Sequence, residues 1–352
     1  MKGVWVTILS VVFLTGFVCL AHAGQGYVGS DACFQCHPVE YNDFKVSGHP
    51  YKLQRAETAK YWKLPLPPGY TWDDISYVIG GAYKKARYID KKGYIITAAK
   101  DGSDLKTQYN LETGTWSYYH KGKKKPYTCG KCHTTGFKNK GHQDGLEGIK
   151  GTWAFPGIQC EACHGPGGEH VKTGDKSKIL VDRSSAFCGK CHIRGSKNKI
   201  PAKGGFIRHH EQYNELLASP HKSLNCVTCH NPHKTAKFSI KTKCESCHVS
   251  EAKAYQGSTM EQVGVRCIDC HMPKATKSAV KFGKYEGDIR THLFKINTAS
   301  DAEMFYTEEV KGKKKTFAKG FVTLDFACLS CHKNKDRTWA SQLAKGIHSK
   351  GK

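Results

Sequence analysis

The sequence predicts mostly short helices and irregular chain, with a small β-meander at about 75–119 and a second strand-like pair at about 303–326. All of it is expected to wind around an interior that side chains alone cannot fill. Three observations predict this. Cysteines recur in pairs two residues apart, and a histidine directly follows every such pair. Hydrophobic residues make up 39% of 352 positions, which is thin for burying a core of this length. Strand patterning, with turn residues between the strands, is confined to the two stretches just named.

The chain opens on what reads as an export leader. Lys2 gives a short basic start, Val4 to Leu20 is almost wholly apolar, and Ala21-His22-Ala23 is a small-residue cleavage site. The apolar run is short for a spanning helix, so residues 1–23 are expected to be removed. No later run is apolar for long enough to cross a membrane. The expected location is therefore periplasmic or extracellular.

Of 17 cysteines, Cys19 lies in that leader. The others form the pairs Cys33/Cys36, Cys129/Cys132, Cys160/Cys163, Cys188/Cys191, Cys226/Cys229, Cys244/Cys247, Cys267/Cys270 and Cys328/Cys331. They are followed by His37, His133, His164, His192, His230, His248, His271 and His332. An even cysteine count in an exported protein first suggests disulfides, and zinc ribbons also use C-x-x-C pairs. Neither requires a histidine after every pair. With 19 histidines in 352 positions, that coincidence is rare once and negligible eight times over. C-x-x-C-H is the pattern of covalent c-type haem attachment. Thiols at i and i+3 lie on one side of a helical turn, where each can form a thioether, and the adjacent histidine comes under the iron as the proximal ligand. The reading is eight covalently bound haem c groups, which would furnish much of the interior.

The formal charge of +25 raises nucleic acid and acidic membranes as partners. Two propionates on each of eight haems would bring about −16, so much of the lysine excess reads as local counter-charge. No nucleic-acid-reading motif accompanies it, and no nucleic acid is expected.

Ten histidines remain outside the leader and the motifs. Eight irons need at most eight distal ligands, so ligation by two histidines throughout, with two spare, is the expectation. The distal candidates are His49, His120, His142, His170, His209, His210, His221, His233 and His292. His348, beside the tail "SKGK", reads as a tail residue. His233 follows the motif histidine His230 by three residues, a span of at most about 10 Å, so it cannot reach over the same haem. It is placed to serve a neighbouring one, an exposed loop histidine being the plainer alternative. Glu211 to Ser219 reads as a helix stopped by Pro220, and His210 and His221 flank it about 16 Å apart along the axis. They should serve different haems, with His209 pointing elsewhere or replacing His210. Pro38 starts a helix leading to His49, and the glycines of "CHGPGGEH" let the chain fold back to present His170.

Between 75 and 119, "ISYVIG", "ARYID", "GYIITAA" and "TWSYY" alternate with "GGAY", "DKKG", "KDGS" and "ETG", which is the meander signal. "EMFYTEEV" and "KTFAKGFVTLDF" supply the second pair. "KGKKKPY" (121–127) and "KGKKKTF" (311–317) read as one device used twice, a solvated hairpin tip. A docking patch for an acidic partner is the sharper alternative.

"YVGSDACFQCHPVEYNDFKVSGH" resembles the opening of the tetrahaem nitrification-type cytochrome domain. "YTCGKCHTTGF" and "DGLEGIKGTWAFPGIQCEACHGPGGEH" resemble segments of extracellular cytochrome filament subunits. The likeness covers about residues 27–200; the later half is similar to multihaem respiratory cytochromes in general. The division implied is a tetrahaem-like region with a β insertion at 24–200 and a four-haem region at 201–352. The resemblance also implies a closely spaced haem chain, redox partner proteins, and self-association in which one subunit lends a histidine to its neighbour. His49 matches such a lending position, with ligation inside or between chains left open. Four further haems depart from the tetrahaem pattern.

Two functions follow. The expected one is an electron conduit, not an enzyme. The alternative is an octahaem reductase or oxidase of small nitrogen or sulfur species with one open haem. Several such enzymes mark the catalytic haem with a motif lysine, whereas all eight motifs here end in histidine.

Overall fold

The computed structural model describes residues 26–348, so the leader reading at 1–23 lies outside the described residues. Helices are short throughout: the longest, Pro38–Lys45 (α1) and Arg337–Ala344 (α3), have eight residues, and Gln212–Ala218 (α2) has seven. Each has a local cause. Proline at the start of α1 brings a pre-set φ and lacks only an N–H that would have no partner anyway. Asp336 caps α3 by accepting the Trp339 N–H at 2.8 Å. Ser219 and Pro220 end α2, where the sequence placed the stop.

The meander is a seven-stranded antiparallel sheet. Its strands are Leu53–Arg55 (β1), Ile75–Gly80 (β2), Lys85–Asp90 (β3), Tyr94–Ile95 (β4), Gln108–Asn110 (β5), Thr115–Ser117 (β6) and Lys125–Pro126 (β7). The order is β1-β2-β3-β4-β7, with β5 paired to β3 and β6 to β5. Both faces are covered. Leu53, Tyr77, Ile79, Ile89, Ile95, Tyr127, Ile149 and Trp153 form one cluster, and Ala56, Ala59, Leu64, Ile75, Val78, Ala86, Tyr88 and Ile96 the other. The alternation of Tyr77, Val78 and Ile79 between the two is the period of a strand. Each fully buried aliphatic side chain among them contributes about 1.5–3 kcal/mol. Gly80 turns β2 into β3 at φ 76°, where a Cβ would lie 2.4 Å from the Lys85 carbonyl oxygen.

A second, five-stranded sheet gathers Ile200–Lys203 (β8), Phe206–Arg208 (β9), Thr276–Lys277 (β10), Phe305–Val310 (β11) and Lys313–Ala318 (β12), in the order β10-β9-β8-β12-β11. The β11–β12 hairpin turns at Lys311 and Gly312, φ 53° and 69°, so "KGKKKTF" does form a tip. "KGKKKPY" does not: its Lys125–Pro126 pairs with β4 at the sheet edge. Proline tolerates that place because it has no N–H to give to a further strand. The meander sheet meets the later chain through Lys84 Nζ to the Asp288 carbonyl and Lys85 Nζ to the Ser278 carbonyl, both 2.8 Å. Among the described residues no helix is long and apolar enough to cross a membrane.

Candidate haem-binding array

Each motif folds as a tight turn. The His37, His192, His230 and His248 N–H groups bond 2.9 Å to the carbonyls of Cys33, Cys188, Cys226 and Cys244, and His332 bonds to Cys328 at 3.0 Å. This four-residue return lays both thiols and the imidazole on one side of the turn. The sixteen described cysteines form no disulfide with one another.

The histidines between motifs then meet the motif histidines in pairs. Ring centroids are 6.3 Å apart for His37–His170 and for His49–His192, and 6.2 Å for His164–His233. They are 5.7 Å for His221–His248, 6.1 Å for His230–His292 and 5.8 Å for His271–His348. Two imidazoles on opposite sides of one iron need two metal–nitrogen bonds of about 2 Å plus two ring half-widths, about 6 Å in all. The residues fit the group.

The ring nitrogens fit it as well. His164 Nδ1 bonds to the Leu180 carbonyl at 2.8 Å, His170 to Asp175 at 3.0 Å and His271 to Phe294 at 2.8 Å. His230 Nδ1 bonds to Ser239 Oγ at 3.0 Å, and His192 Nδ1 lies 3.2 Å from Gln212 Oε1. A proton fixed on Nδ1 leaves the Nε2 lone pair for a metal. At His49 and His292 burial also favours the neutral ring that ligation requires. It lowers the pKa of His49 to about 3, helped by His192 and Lys52, and that of His292 to about 3, helped by His230.

His233 thus faces His164, the histidine of an earlier motif, and one turn of chain carrying His230 and His233 reaches two sites. His49 faces His192 of its own chain. His348, which the sequence reading left in the tail, stacks on His271 at 22°. The other four candidates face no motif imidazole at ring-contact distance among the described residues. His120 sits exposed on a left-handed turn at φ 47°, its ring against Tyr119. His142 is exposed, with Nδ1 bound to the Ile149 carbonyl at 2.7 Å. His210 Nδ1 accepts from the Arg194 guanidinium at 2.8 Å, and His209 packs edge-on against His210.

Replacing His233 by Ala is expected to leave His164 with no facing imidazole. The reduced, haem-loaded protein should then bind carbon monoxide at one more site per chain than its parent, read from the visible difference spectrum.

Among the described residues no second imidazole ring stands at contact distance from His133 or His332, although the charge of His133 acts on His210. His332 lies 5.0 Å from the Trp339 ring. His133 lies 6.4 Å from Tyr127, and its Nδ1 is buried without a hydrogen-bond partner. Its pKa is lowered to about 3, first by burial and then by the charges of Lys52, Arg87 and Lys85. Lys85 and Arg87 are two apart on β3 and project on the Ile79 and Ile89 face, while Lys52 immediately precedes β1. The sequence reading missed this trio. Its signal was a lysine and an arginine in the core-facing register of a strand buried on both sides.

The motifs also lie near one another. The thiols of Cys33 and Cys160 are close enough to shift each other's pKa, as are those of Cys188 and Cys226, and of Cys132 and Cys191. Cys163 lies near Cys188 and Cys191, Cys229 near Cys247, Cys244 near Cys267, and Cys270 near Cys328 and Cys331.

Cys36 stands apart from the other thiol of its motif. It is exposed, and among the described residues its thiol meets no cysteine of another motif, although its own motif partner Cys33 reaches Cys160. The physical reason is local. Cys36 lies on the turn that leads outward from the short helix Ser30–Cys33 into α1, its N–H bonding back to the Cys33 carbonyl at 3.3 Å, and residues 34–40 are exposed together with it. The first motif therefore has an inner thiol, Cys33, and an outer one, Cys36. Cys129 of the second motif is exposed in the same way, beside the charge of Arg87.

Two family profiles match parts of the chain: "Outer membrane cytochrome MtrC/MtrF-like, domains II/IV" over residues 238–350 and "Cytochrome c554 and c-prime" over residues 95–165. The multiheme cytochrome MtrA of Shewanella baltica is 26% identical over 165 residues, 42% of this chain and 45% of its own. The dissimilatory sulfite reductase MccA of Wolinella succinogenes is 22% identical over 360 residues, 82% of this chain and 48% of its own. The chain spans about half the length of these relatives. The solved octaheme MccA superposes with a TM-score of 0.65 at 18% identity, over 88% of this chain and 66% of that one. The outer cell wall cytochrome OcwA does so at 0.61 and 20%, over 90% and 86%. The fold is theirs: short helices and small sheets.

Proposed function

We propose that this chain, which is a multihaem c-type cytochrome, holds eight covalent haems and carries electrons along them in respiratory or extracellular electron transfer. The observation that carries the reading is the imidazole pairing at six of the eight motifs. Haem c would supply a one-electron centre at each such place, and the two histidines that would hold it leave the chain no residue-free side at which to take a substrate. The chain's own part is to set the order. Nearness of the motif cysteines, felt in one another's pKa, runs from the first motif to the third, then the fourth, fifth, sixth, seventh and eighth in line, with the second beside the fourth. An exported location and redox proteins as partners go with this reading.

Mass spectrometry and electron paramagnetic resonance of the purified protein test it. The mass should exceed that of the polypeptide by eight haems, and low-spin signals should dominate the oxidised spectrum. A bare polypeptide mass, or a high-spin majority, overturns it.

A second reading, a reductase of small nitrogen or sulfur species, is favoured by one observation: among the described residues His133 has a tyrosine ring, Tyr127, at contact distance, where six other motif histidines face an imidazole. Carbon monoxide binding to the reduced parent protein is its minimum requirement.

A further inference from the structure

We infer that Tyr77, Trp153 and Tyr127 form a row of oxidisable rings leading from the second motif to the surface at Asp144 and Arg55. The row quenches a one-electron oxidant that arrives there. This rests on the reading above, that the second motif holds a haem, and adds an outlet that the line of motifs does not supply. The rings follow one another in contact. Centroids are 6.4 Å apart from His133 to Tyr127, 6.1 Å from Tyr127 to Trp153 and 5.7 Å from Trp153 to Tyr77. The contacts of Trp153 with its two neighbours are edge-on, at 79° and 80°, an arrangement that aromatic pairs favour. All three rings are buried in one core cluster.

The proton distinguishes their roles. A phenol or indole that gives up an electron becomes strongly acidic, and an uncompensated charge inside the protein is costly. Oxidation is therefore easiest where a base stands within hydrogen-bond reach. Tyr77 has one, because its hydroxyl donates to the Asp144 carboxylate. Trp153 Nε1 and the Tyr127 hydroxyl have no hydrogen-bond partner among the described residues. The charge thus passes across the inner two rings and rests on Tyr77 as a neutral radical, with its proton on Asp144.

The acceptor is firmly placed. Asp144 stands at φ 55°, in the left-handed region that aspartate tolerates better than most residues. Arg55 donates to both its oxygens, at 2.9 and 3.3 Å, and Gln143 Nε2 to Oδ1 at 3.0 Å. The same Gln143 accepts the Trp153 N–H at 2.9 Å, so one side chain holds both the indole's backbone and the acceptor. Arg55 and Asp144 are partly exposed, so an oxidant meets them without entering the core. Two other tyrosines mark the contrast. Tyr88 lies 6.3 Å from the Trp116 ring, but its hydroxyl goes to the Pro65 carbonyl, which takes up no proton. Tyr41 donates to the Asp31 carboxylate, but the ring beside it is Phe34, which resists oxidation.

The electrons balance. An oxygen-centred radical at the surface takes one electron from Tyr77 and is reduced, while the phenolic proton moves to Asp144. One electron then refills Tyr77 through Trp153 and Tyr127, drawn from reduced haem c at the second motif, and Asp144 returns the proton. One electron leaves the protein and no proton is lost.

The competing account makes the rings core packing and Asp144 a partner for a buried hydroxyl. Pulse radiolysis of the haem-loaded protein, with azidyl radical as the oxidant, separates the two. Samples frozen after the pulse are read by electron paramagnetic resonance, and haem oxidation is followed by visible absorbance. In the oxidised protein, which has no electron to refill the row, a tyrosyl signal should persist. Tyr77→Phe should remove the larger part of it, and Tyr88→Phe should not. Asp144→Asn leaves every ring in place and should act like Tyr77→Phe, which covers poor haem loading in the latter. In the reduced protein the signal should decay as haem is oxidised. Trp153→Phe should slow that decay by about tenfold, a barrier rise of about 1.4 kcal/mol. An undiminished signal in Tyr77→Phe and Asp144→Asn, or an unchanged decay in Trp153→Phe, overturns the row and leaves the haem reading standing. A bare mass for the peptide carrying Cys129 and Cys132 sinks the haem reading, and the outlet with it, whatever the signal does.

Discussion

Glu215→Ala is expected to destabilise the protein by about 3–5 kcal/mol, whereas Glu215→Gln should cost about 1 kcal/mol or less. Glu215 is 0% exposed on α2. Its carboxyl accepts the Thr291 hydroxyl at 2.7 Å, the His292 N–H, and the Thr276 hydroxyl at 3.5 Å. Alanine strands these donors in an apolar setting and adds a cavity, and both effects are destabilising. Burial raises the Glu215 pKa to about 8, so the native group is largely uncharged near neutrality, and a neutral glutamine carbonyl can take its place as acceptor. Because Glu215 holds the backbone of His292, the partner of His230, the alanine variant should also gain a carbon monoxide-binding site that the glutamine variant lacks. Denaturant unfolding gives the first quantity and difference spectra the second. Equal stability of the two variants would show that the carboxyl's hydrogen bonds are not what matters.

Gly157→Ala should be more damaging still, costing about 4 kcal/mol or more. Gly157 has φ +73°, and a Cβ there would lie 1.9 Å from the Pro50 carbonyl oxygen. Neither backbone can yield cheaply. The Ile158 N–H bonds to the His49 carbonyl at 3.0 Å, and Thr135 Oγ1 bonds to the Gly157 carbonyl at 2.9 Å. The loop that moves is the one presenting His49 to His192, so loss of stability and loss of that imidazole pair should come together. Gly174→Ala is the control. Its φ of +70° is similar, but nothing lies within 4 Å of the added carbon, so only the conformational cost of about 1 kcal/mol remains. If both variants unfold alike, steric collision at Pro50 is not the cause.

The attachment positions were legible because covalent chemistry demands neighbours in sequence: two thiols and an imidazole within five residues. Their depth was not, since Cys33 and Cys36 share one motif yet only the first turns toward another. Local elements were legible from short-range signals too, α1 from its proline and β2 and β3 from alternation around a Gly-Gly turn. The choice of distal histidine was hidden. His233 and His170 differ little in sequence setting from His142, which also sits among glycines and lysines, yet only the first two meet a ring. That difference arises where the chain crosses itself, far from either residue. His348 was discounted for its place near the end of the chain, although α3 carries it back toward His271. Histidine counting also failed in principle. Ten candidates for eight places cannot reveal that His133 has the Tyr127 ring, and not an imidazole, at contact distance among the described residues.

His170, His233, His292 and His348 all lie downstream of the motifs they face, while His49 and His221 lie upstream of theirs. In a polypeptide delivered amino end first, four of the clasps would stand half-shut until later chain arrives, and two could snap closed at once. Maturation would then be paced by delivery rather than by local folding. A premature stop, or a protease trimming only the last turns, would unlatch the seventh motif while leaving every thioether in place.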